Sequence, residues 1–218
     1  MNAGDRKKSA KSAPAPRIGR PRAFDRDNAL LAAMRTFWTQ GYEGTSIQDL
    51  VAAMGVNKPS LYATFGCKEE IFREAVELYD RLEGRATSHS LANAPTAREA
   101  VETMLRANAR AYVVQDGPRG CMIVLSSLLG APENESVRAF LASNRLHGET
   151  LLRERLAQAI AQGDLTATAD IAQLAAFYTT VLEGLSIQAC DGAGVDKLNQ
   201  IIDAPMLAWP AALRRQGL

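Results

Sequence analysis

The sequence predicts an all-α fold, with three short helices near the N-terminus and a larger helical C-terminal domain. Apolar residues recur every three or four positions through most of the chain, which is the period of an amphipathic helix. No segment alternates apolar and polar residues in the way that a half-buried strand does. Glycine, serine, threonine and asparagine residues interrupt the periodic segments, as is typical of helix ends.

The composition is that of a globular protein. The chain has 218 residues, of which 47% are hydrophobic and 22% charged, and this length suits one large or two smaller domains. The sequence has no run of about 18 apolar residues, so we predict no membrane-spanning helix. The basic N-terminus lacks the apolar segment of a signal peptide. The three cysteines are widely spaced, which favours reduced thiols and a cytoplasmic protein.

The charges are distributed unevenly along the chain. Residues 1–68 hold 11 Lys and Arg against 5 Asp and Glu, whereas the remainder is acidic. A basic first third on an acidic body indicates a polyanionic partner that is engaged at one end. Residues 1–18 are rich in Ala, Ser, Pro and Lys, and we predict a disordered basic tail there.

The first two helices are predicted from their apolar stripes and from the residues at their ends. The first begins near Asp25 and ends at Gly41. In the second, Thr45 and Gln48 have the spacing of a capping box, and Gly55 ends the helix. The stripe of the first helix consists of Leu30, Ala33, Met34, Phe37 and Trp38.

The third predicted helix is only about ten residues long, which is too short to be stable alone. Asn57 can cap it, and Pro59 is tolerated because the amides of the first turn have no partner within the helix. Leu61 and Phe65 lie four residues apart and are expected to face inward. The short turn at Gly55 and the helices that flank it then form a helix-turn-helix.

The outward face of this third helix is polar and suits insertion into the major groove of DNA. A short basic arm, Gly19 to Arg22, precedes the first helix and could reach a minor groove, where negative potential attracts arginine. Helix starts also supply amides for phosphate contacts. We predict DNA contacts by Arg20, Arg22, Thr45, Ser46, Asn57, Lys58, Pro59, Ser60, Tyr62, Thr64 and Lys68.

Further helices follow in the C-terminal part. A fourth, from about residue 68 to 83, connects the two parts, and a break is predicted at residues 84–96, which are rich in Ser, Thr, Asn and Pro. The remaining predicted helices cover about residues 97–114, an apolar segment at 121–129, and residues 136–162, 170–189 and 195–204.

The segment from Gly19 to Tyr79 resembles the DNA-binding domain of the TetR/AcrR family of bacterial transcriptional regulators. The resemblance includes the pattern Gly-Val-x-Lys-x-x-Leu-Tyr-x-x-Phe, which begins here at Gly55. One departure is Cys67, where the family usually has a better helix cap, so the fourth helix is expected to fray at its start. The pattern also includes Phe37, Trp38, Gly41, Tyr42, Thr45, Ser46, Ile47, Lys68 and Glu69.

The resemblance implies a homodimer that binds double-stranded DNA at a palindromic operator. Residues 19–68 would form the DNA-binding head, and residues 69–218 would bind a largely apolar small molecule and dimerise through the last two long helices. Binding of this effector would weaken DNA binding, which makes the protein a repressor released by its ligand. We predict no cofactor and no membrane partner.

Large apolar and amphipathic residues of the C-terminal domain are candidates for the effector site, although each could equally belong to the core. Among them Tyr112 and Tyr178 are preferred, because a buried phenol needs a hydrogen-bond partner that a ligand can supply. The candidates are Met104, Tyr112, Cys121, Met122, Leu125, Phe140, Phe177 and Tyr178.

Two alternatives remain at this point. Cys121 follows Arg119 at a predicted helix start, where the pKa of a thiol can be lowered. One alternative function is therefore a thiol-switched sensor of oxidants or electrophiles. The other interpretation of Cys121 is a small buried hydrophobic residue. The second alternative function is an enzyme with a vestigial head. It is weakened because His89 and His147 lack metal-binding spacing and no catalytic motif is present, so we predict no catalytic residue and no metal ligand.

Overall fold

The computed structural model describes residues 25–113 and 117–209, and its described regular elements are all helical. This confirms the predicted all-α fold. The basic tail and the arm with Arg20 and Arg22 lie outside the described residues. The α-helices are α1 (Arg26–Gly44), α2 (Ile47–Met54), α3 (Lys58–Phe65), α4 (Lys68–Tyr79), α5 (Arg85–Asn93), α6 (Ala97–Ala111), α7 (Met122–Leu125), α8 (Glu135–Ala161), α9 (Ile171–Cys190) and α10 (Val195–Leu207).

An aromatic cluster forms the centre of the head, which consists of α1 to α4. The ring of Phe72 lies 5.0 Å from the ring of Phe37 and 5.0 Å from that of Tyr42, both in edge-to-face geometry. The same core continues along α4 as far as Tyr79 and includes Met122 from α7 and two apolar residues of α8. The head is therefore packed directly onto the C-terminal part, and its core extends beyond residue 68, where the predicted head ends.

A second core occupies the C-terminal part, between α5, α6, α8, α9 and α10. Leu105, Leu156 and Leu198 are fully buried in it. The phenol of Tyr178 is also buried there, and it donates a hydrogen bond to the carbonyl of Pro205 at 3.1 Å. The last two helices, α9 and α10, thus contact each other within the subunit.

The predicted break at residues 84–96 is largely helical instead. A π-helical turn, Asp80–Gly84, continues α4 directly into α5, which packs against α6. Leu91 and Ser90 of α5 are buried by this packing. Tertiary contacts therefore override the weak helix propensity of the Ser, Thr and Asn residues on which the predicted break depended.

The apolar segment 121–129 is helical over only four residues, α7, and not over its whole length as predicted. The carbonyl of Ser126 accepts a hydrogen bond at 2.9 Å from the backbone N–H of Tyr42, so it is bonded to the head and not to a further helical turn. Beyond it, Leu129 is 89% exposed. Contact with the head therefore decides where this helix ends.

The junction between α1 and α2 differs in detail from the prediction. Helical geometry breaks at Gly41, as predicted, although three further residues continue the helix. The cap of α2 is Ser46 and not Thr45, because Ser46 and Asp49 form the capping box. The hydroxyl of Thr45 is directed backward instead, and it donates to the carbonyl of Gly41 at 2.7 Å.

Replacing Gly41 with alanine is expected to lower the free energy of unfolding by about 1–3 kcal/mol. Gly41 has φ 71° and ψ 173°, a region that is nearly restricted to glycine, and a Cβ there would lie 3.0 Å from the carbonyl oxygen of Ser126. Gly44→Ala is the control, since its Cβ would meet only the Cβ of Gln40 at 3.7 Å. Urea denaturation measures both variants, and equal losses would contradict the assigned strain.

Candidate nucleic-acid interface and effector cavity

Helix α3 is anchored by its inward residues and capped at its start. Leu61 is fully buried and Phe65 is 4% exposed, and both belong to the core of the head. The side-chain oxygen of Asn57 accepts a hydrogen bond from the backbone N–H of Ser60 at 2.8 Å, and Pro59 lies in the first turn. The predicted cap and the two predicted inward residues are confirmed.

The opposite face of α3 is open to solvent. Lys58, Ser60 and Tyr62 are exposed, as are Asn57 and Pro59 beside them. Tyr62 is 42% exposed, and the ammonium of Lys58 lies 5.9 Å from the centre of its ring. This arrangement presents one ammonium, one hydroxyl and one phenol on a single short helix, which is the chemistry that base edges and phosphates accept. Thr64 is half-buried.

The two residues before α2 differ in what they can contact. Thr45 was predicted to touch DNA, but its side chain is 1% exposed and its hydroxyl is bonded within the chain. It therefore cannot reach a phosphate from this position. Ser46 is exposed, yet its hydroxyl already donates to the carboxylate of Asp49 at 2.6 Å. A hydrogen bond from this hydroxyl to a phosphate would compete with its bond to the Asp49 carboxylate.

The start of α4 has a capping hydrogen bond that the presence of Cys67 does not predict. The carboxylate of Glu70 accepts a hydrogen bond from the backbone N–H of Cys67 at 2.7 Å, which compensates for the poor cap. The half-buried ammonium of Lys68 lies 4.2 Å from the ring centre of Tyr42. Burial lowers the pKa of Lys68, and the nearby carboxylate of Glu43 opposes this shift.

A cavity of about 350 Å³ lies between α4, the π-helical turn, α5, α6, α7, α8 and α9. This volume is at the lower end of the range for small-molecule sites. Three of the predicted ligand contacts, Met104, Tyr112 and Cys121, line it together. Its other apolar wall residues are Ile123, Val124, Leu151, Leu152 and Leu182.

Three further predicted contacts lie elsewhere, toward the head. Met122 is fully buried in the core of the head. Leu125 lines a separate surface groove beside α1. The ring of Phe140 packs on that same core and faces the guanidinium of Arg73 at 4.5 Å. These side chains pack the interface between head and body and are not part of the cavity wall.

The two aromatic candidates on α9 are also outside the cavity. Phe177 is 46% exposed on the surface of the helix. Tyr178 is 1% exposed, and its hydroxyl already has a partner in the carbonyl of Pro205. The reason for preferring Tyr178, an unpaired buried phenol, therefore does not apply.

Cys121 lines the cavity and interacts with two phenols. The hydroxyls of Tyr79 and Tyr112 are within hydrogen-bonding reach of its sulfur. Burial raises the pKa of the Cys121 thiol, and it outweighs the hydrogen bonds, which lower it. Since the thiolate is the reactive form, the structure does not favour the thiol-switched alternative.

Several polar residues of the cavity were missed by the sequence analysis, notably Asn108, Arg145 and Glu183. One signal could have revealed Glu183, because it is the only charged residue in the sequence of α9. For Asn108 and Arg145 no comparable signal exists, since each lies in a helix with other charged or polar residues.

The described residues contain neither a membrane-spanning helix nor a group of metal ligands. None of the helices in 25–113 and 117–209 is long and apolar enough to cross a membrane. Within the same ranges, no three His, Cys, Asp or Glu side chains are grouped in a way that could hold a metal ion.

Comparison with known proteins gives a consistent result. The family described as "Bacterial regulatory proteins, tetR family" matches residues 29–75. The chain is 34% identical over 197 residues to the HTH-type transcriptional repressor ComR of Escherichia coli (strain K12), covering 90% of this chain and 94% of ComR. It is 29% identical to the HTH-type transcriptional repressor BdcR of the same organism, covering 83% of this chain and 86% of BdcR.

Among solved structures, a cysteine mutant of the TetR family transcriptional regulator CifR complexed with 26 bp double-strand operator DNA is similar. It is 47% identical, with a TM-score of 0.85, and the match covers 88% of this chain and 100% of the CifR chain. Sequence and structure agree over nearly the whole length of these relatives. The chain therefore belongs to the TetR family of bacterial transcriptional regulators.

Proposed function

We propose that this protein is a homodimeric transcriptional repressor that binds a palindromic operator through α3 and is released by a small molecule in the cavity. The observation that carries the proposal is the exposed outer face of α3, which is held out by the buried Leu61 and Phe65. ComR and BdcR are named as repressors, and CifR is described with operator DNA. These relatives support the same role here.

A dimer is supported by the exposed apolar side chains of α9. Phe177 is 46% and Ile187 42% exposed, and Gly184 between them has open space where a side chain would be. A shallow apolar groove between α9 and α10 adjoins them and includes Val181 and Ile201. Exposed apolar faces of this kind are typical of protein interfaces, and a second copy of these two helices would cover them.

The connection between cavity and head is short. Cys121, Ile123 and Val124 line the cavity, and the residues on either side of them are bonded to α1. The indole N–H of Trp38 donates to the carbonyl of Gly120 at 3.1 Å, and the Ser126 carbonyl accepts from the head as described above. A ligand that moves this segment would therefore move α1, and a coupling of about 1–3 kcal/mol is typical of such sites.

The test of DNA binding is in vitro selection by the full chain from a pool of random duplexes. We expect enrichment of a palindrome whose half-sites lie about one or more helical turns apart, because each subunit would place one α3 in a major groove. Light scattering on the free protein measures whether it is a dimer. Failure to enrich any duplex sequence would contradict the proposal.

Replacing Lys58 with alanine is expected to change the selected half-site as well as to reduce affinity, by about 1–3 kcal/mol at the affected base pair. Lys58 is exposed at the start of α3, where recognition helices reach base edges. Arg153→Ala removes one positive charge from an exposed position on α8, outside the two helices of the proposed dimer interface, and is the control. Repeating the selection with each variant is the measurement. An unchanged half-site with Lys58→Ala would assign Lys58 to phosphate instead.

The alternatives have less support. The relatives found are transcriptional regulators, and no observation favours a catalytic role. The raised pKa of Cys121 opposes a thiol-switched mechanism. A cytoplasmic location is part of the proposal, because the protein would act on the bacterial chromosome.

A further inference from the structure

Glu183 has an unusual position in the fold. It is the only charged residue in the 20-residue helix α9. It also lines the cavity. Its side chain is half-buried. A glutamate in an apolar helix costs free energy to bury unless a partner compensates its charge.

The side chains that the structure describes provide no such partner. From residues 25–84, 87–113 and 117–209, no hydrogen bond or ion pair reaches the carboxylate of Glu183. Arg145, whose charge acts on Glu183, donates to the carbonyl of Ile123 at 3.1 Å instead. Burial raises the pKa of Glu183, Arg145 lowers it, and the carboxylate of Glu149 raises it further.

Three polar side chains of the cavity wall already interact within the protein. The amide of Asn108 donates to the hydroxyl of Thr87 at 2.9 Å and to the carbonyl of Met104 at 2.9 Å. The hydroxyls of Tyr79 and Tyr112 interact with the thiol of Cys121. The charged residues of the wall are the carboxylates of Asp80, Glu83 and Glu183 and the guanidiniums of Arg81 and Arg145, so a ligand meets more carboxylates than guanidiniums there.

We propose that the effector is a small cationic amphiphile whose amine or ammonium group binds the Glu183 carboxylate and whose apolar part lies along Met104, Leu152 and Leu182. This inference rests on the proposed function, since it names the ligand class of the same cavity. A volume of about 350 Å³, at roughly 30 Å³ for each water-sized group, accommodates about a dozen non-hydrogen atoms.

Charge separates this ligand class from others of similar size. An ammonium both donates hydrogen bonds and compensates a carboxylate that has lost part of its hydration, whereas an alcohol only donates. An anionic ligand would meet the like charges of Asp80, Glu83 and Glu183. Of the two guanidiniums in the wall, Arg81 is exposed and Arg145 is already bonded to a backbone carbonyl. The cavity thus discriminates by repulsion as well as by attraction.

The test uses three probes with the same eight-carbon chain: octylammonium, 1-octanol and octanoate. Isothermal titration calorimetry on the full-length protein at pH 7 is expected to give the tightest binding for octylammonium, by about tenfold over octanol, as for a hydrogen bond to a charged group. Octanoate is expected to bind most weakly. Equal or tighter binding of octanoate, or no binding of any probe, would overturn the proposal.

Two variants assign the effect to one carboxylate. Glu183→Gln is expected to reduce octylammonium affinity by about tenfold or more while octanol affinity changes by less than about twofold, which also shows that the cavity is still folded. Glu154→Gln removes the same charge from an exposed position on α8 and is expected to have no effect. Unchanged octylammonium binding in Glu183→Gln would exclude Glu183 as the binding group.

The proposed ligand class and the proposed function can be contradicted by different results. If octylammonium binds through Glu183 but the affinity for the selected duplex is unchanged in its presence, the ligand class stands and the release mechanism is wrong. If the protein binds its duplex normally but does not bind octylammonium, the ligand class alone is wrong.

Discussion

Replacing Phe72 with alanine is expected to lower the free energy of unfolding by about 3–5 kcal/mol. Phe72 is fully buried, and its ring makes edge-to-face contacts with Phe37 and Tyr42 of α1. The substitution leaves a cavity at the point where α4 packs on α1, and it removes both ring contacts. Since domains are stable by only about 5–15 kcal/mol, this loss is a large part of the total.

Urea denaturation followed by circular dichroism measures the effect. The control is Tyr62→Ala, which removes an aromatic ring from an exposed position of the same head and is expected to change stability by no more than about 0.5 kcal/mol. Duplex binding by Phe72→Ala is expected to fail only under conditions in which the head unfolds. Similar losses of stability in the two variants would mean that burial in the aromatic cluster is not what stabilises the head.

The same Tyr62→Ala variant is expected to have the largest effect on function. If the phenol hydroxyl donates to a phosphate, its removal costs about 1.5–3 kcal/mol, which is roughly a 10- to 150-fold loss of duplex affinity. The loss should be similar for all duplex sequences, because phosphate contacts carry no base information. Stability is expected to change little, and the denaturation measurement above then excludes unfolding of the head as the cause.

Two comparisons identify the group responsible. Tyr62→Phe removes only the hydroxyl, so it should lose as much affinity as Tyr62→Ala if the hydroxyl makes the contact. Salt dependence separates Tyr62 from Lys68, because losing one cationic phosphate contact reduces the slope of affinity against salt by about one, whereas losing a neutral phenol does not. Wild-type affinity in Tyr62→Phe would indicate that only the ring contributes, and wild-type affinity in Tyr62→Ala would remove Tyr62 from the interface.

The ammonium of Lys68 illustrates how the structure refines a contact that the sequence predicts. It lies over the ring of Tyr42, and burial lowers its pKa. A phosphate approaching α4 would therefore meet an ammonium that is already positioned by the aromatic cluster, and not a freely moving side chain. The contact with DNA stays a prediction, and the salt slope of Lys68→Ala tests it.

What the sequence determined by itself is the local structure of the head. The cap at Asn57, the inward Leu61 and Phe65, and the break at Gly41 all follow from neighbouring residues and from helical spacing, so a reader of the sequence can place them. The same local motifs carried the family resemblance. Even here the structure was needed to identify the cap of α2 as Ser46 and not Thr45, because the hydroxyl of either residue suits a cap.

Only the tertiary structure decided which apolar residues surround the cavity. Met104 lines it, whereas Met122, an equally apolar residue, is buried in the core of the head. Hydrophobicity shows that a side chain avoids water, but it does not show whether the side chain meets another helix or an empty space, which depends on how the helices cross. For the same reason, the location of Glu183 in the cavity wall depends on how α9 packs against α6, α7 and α8, which the sequence does not show.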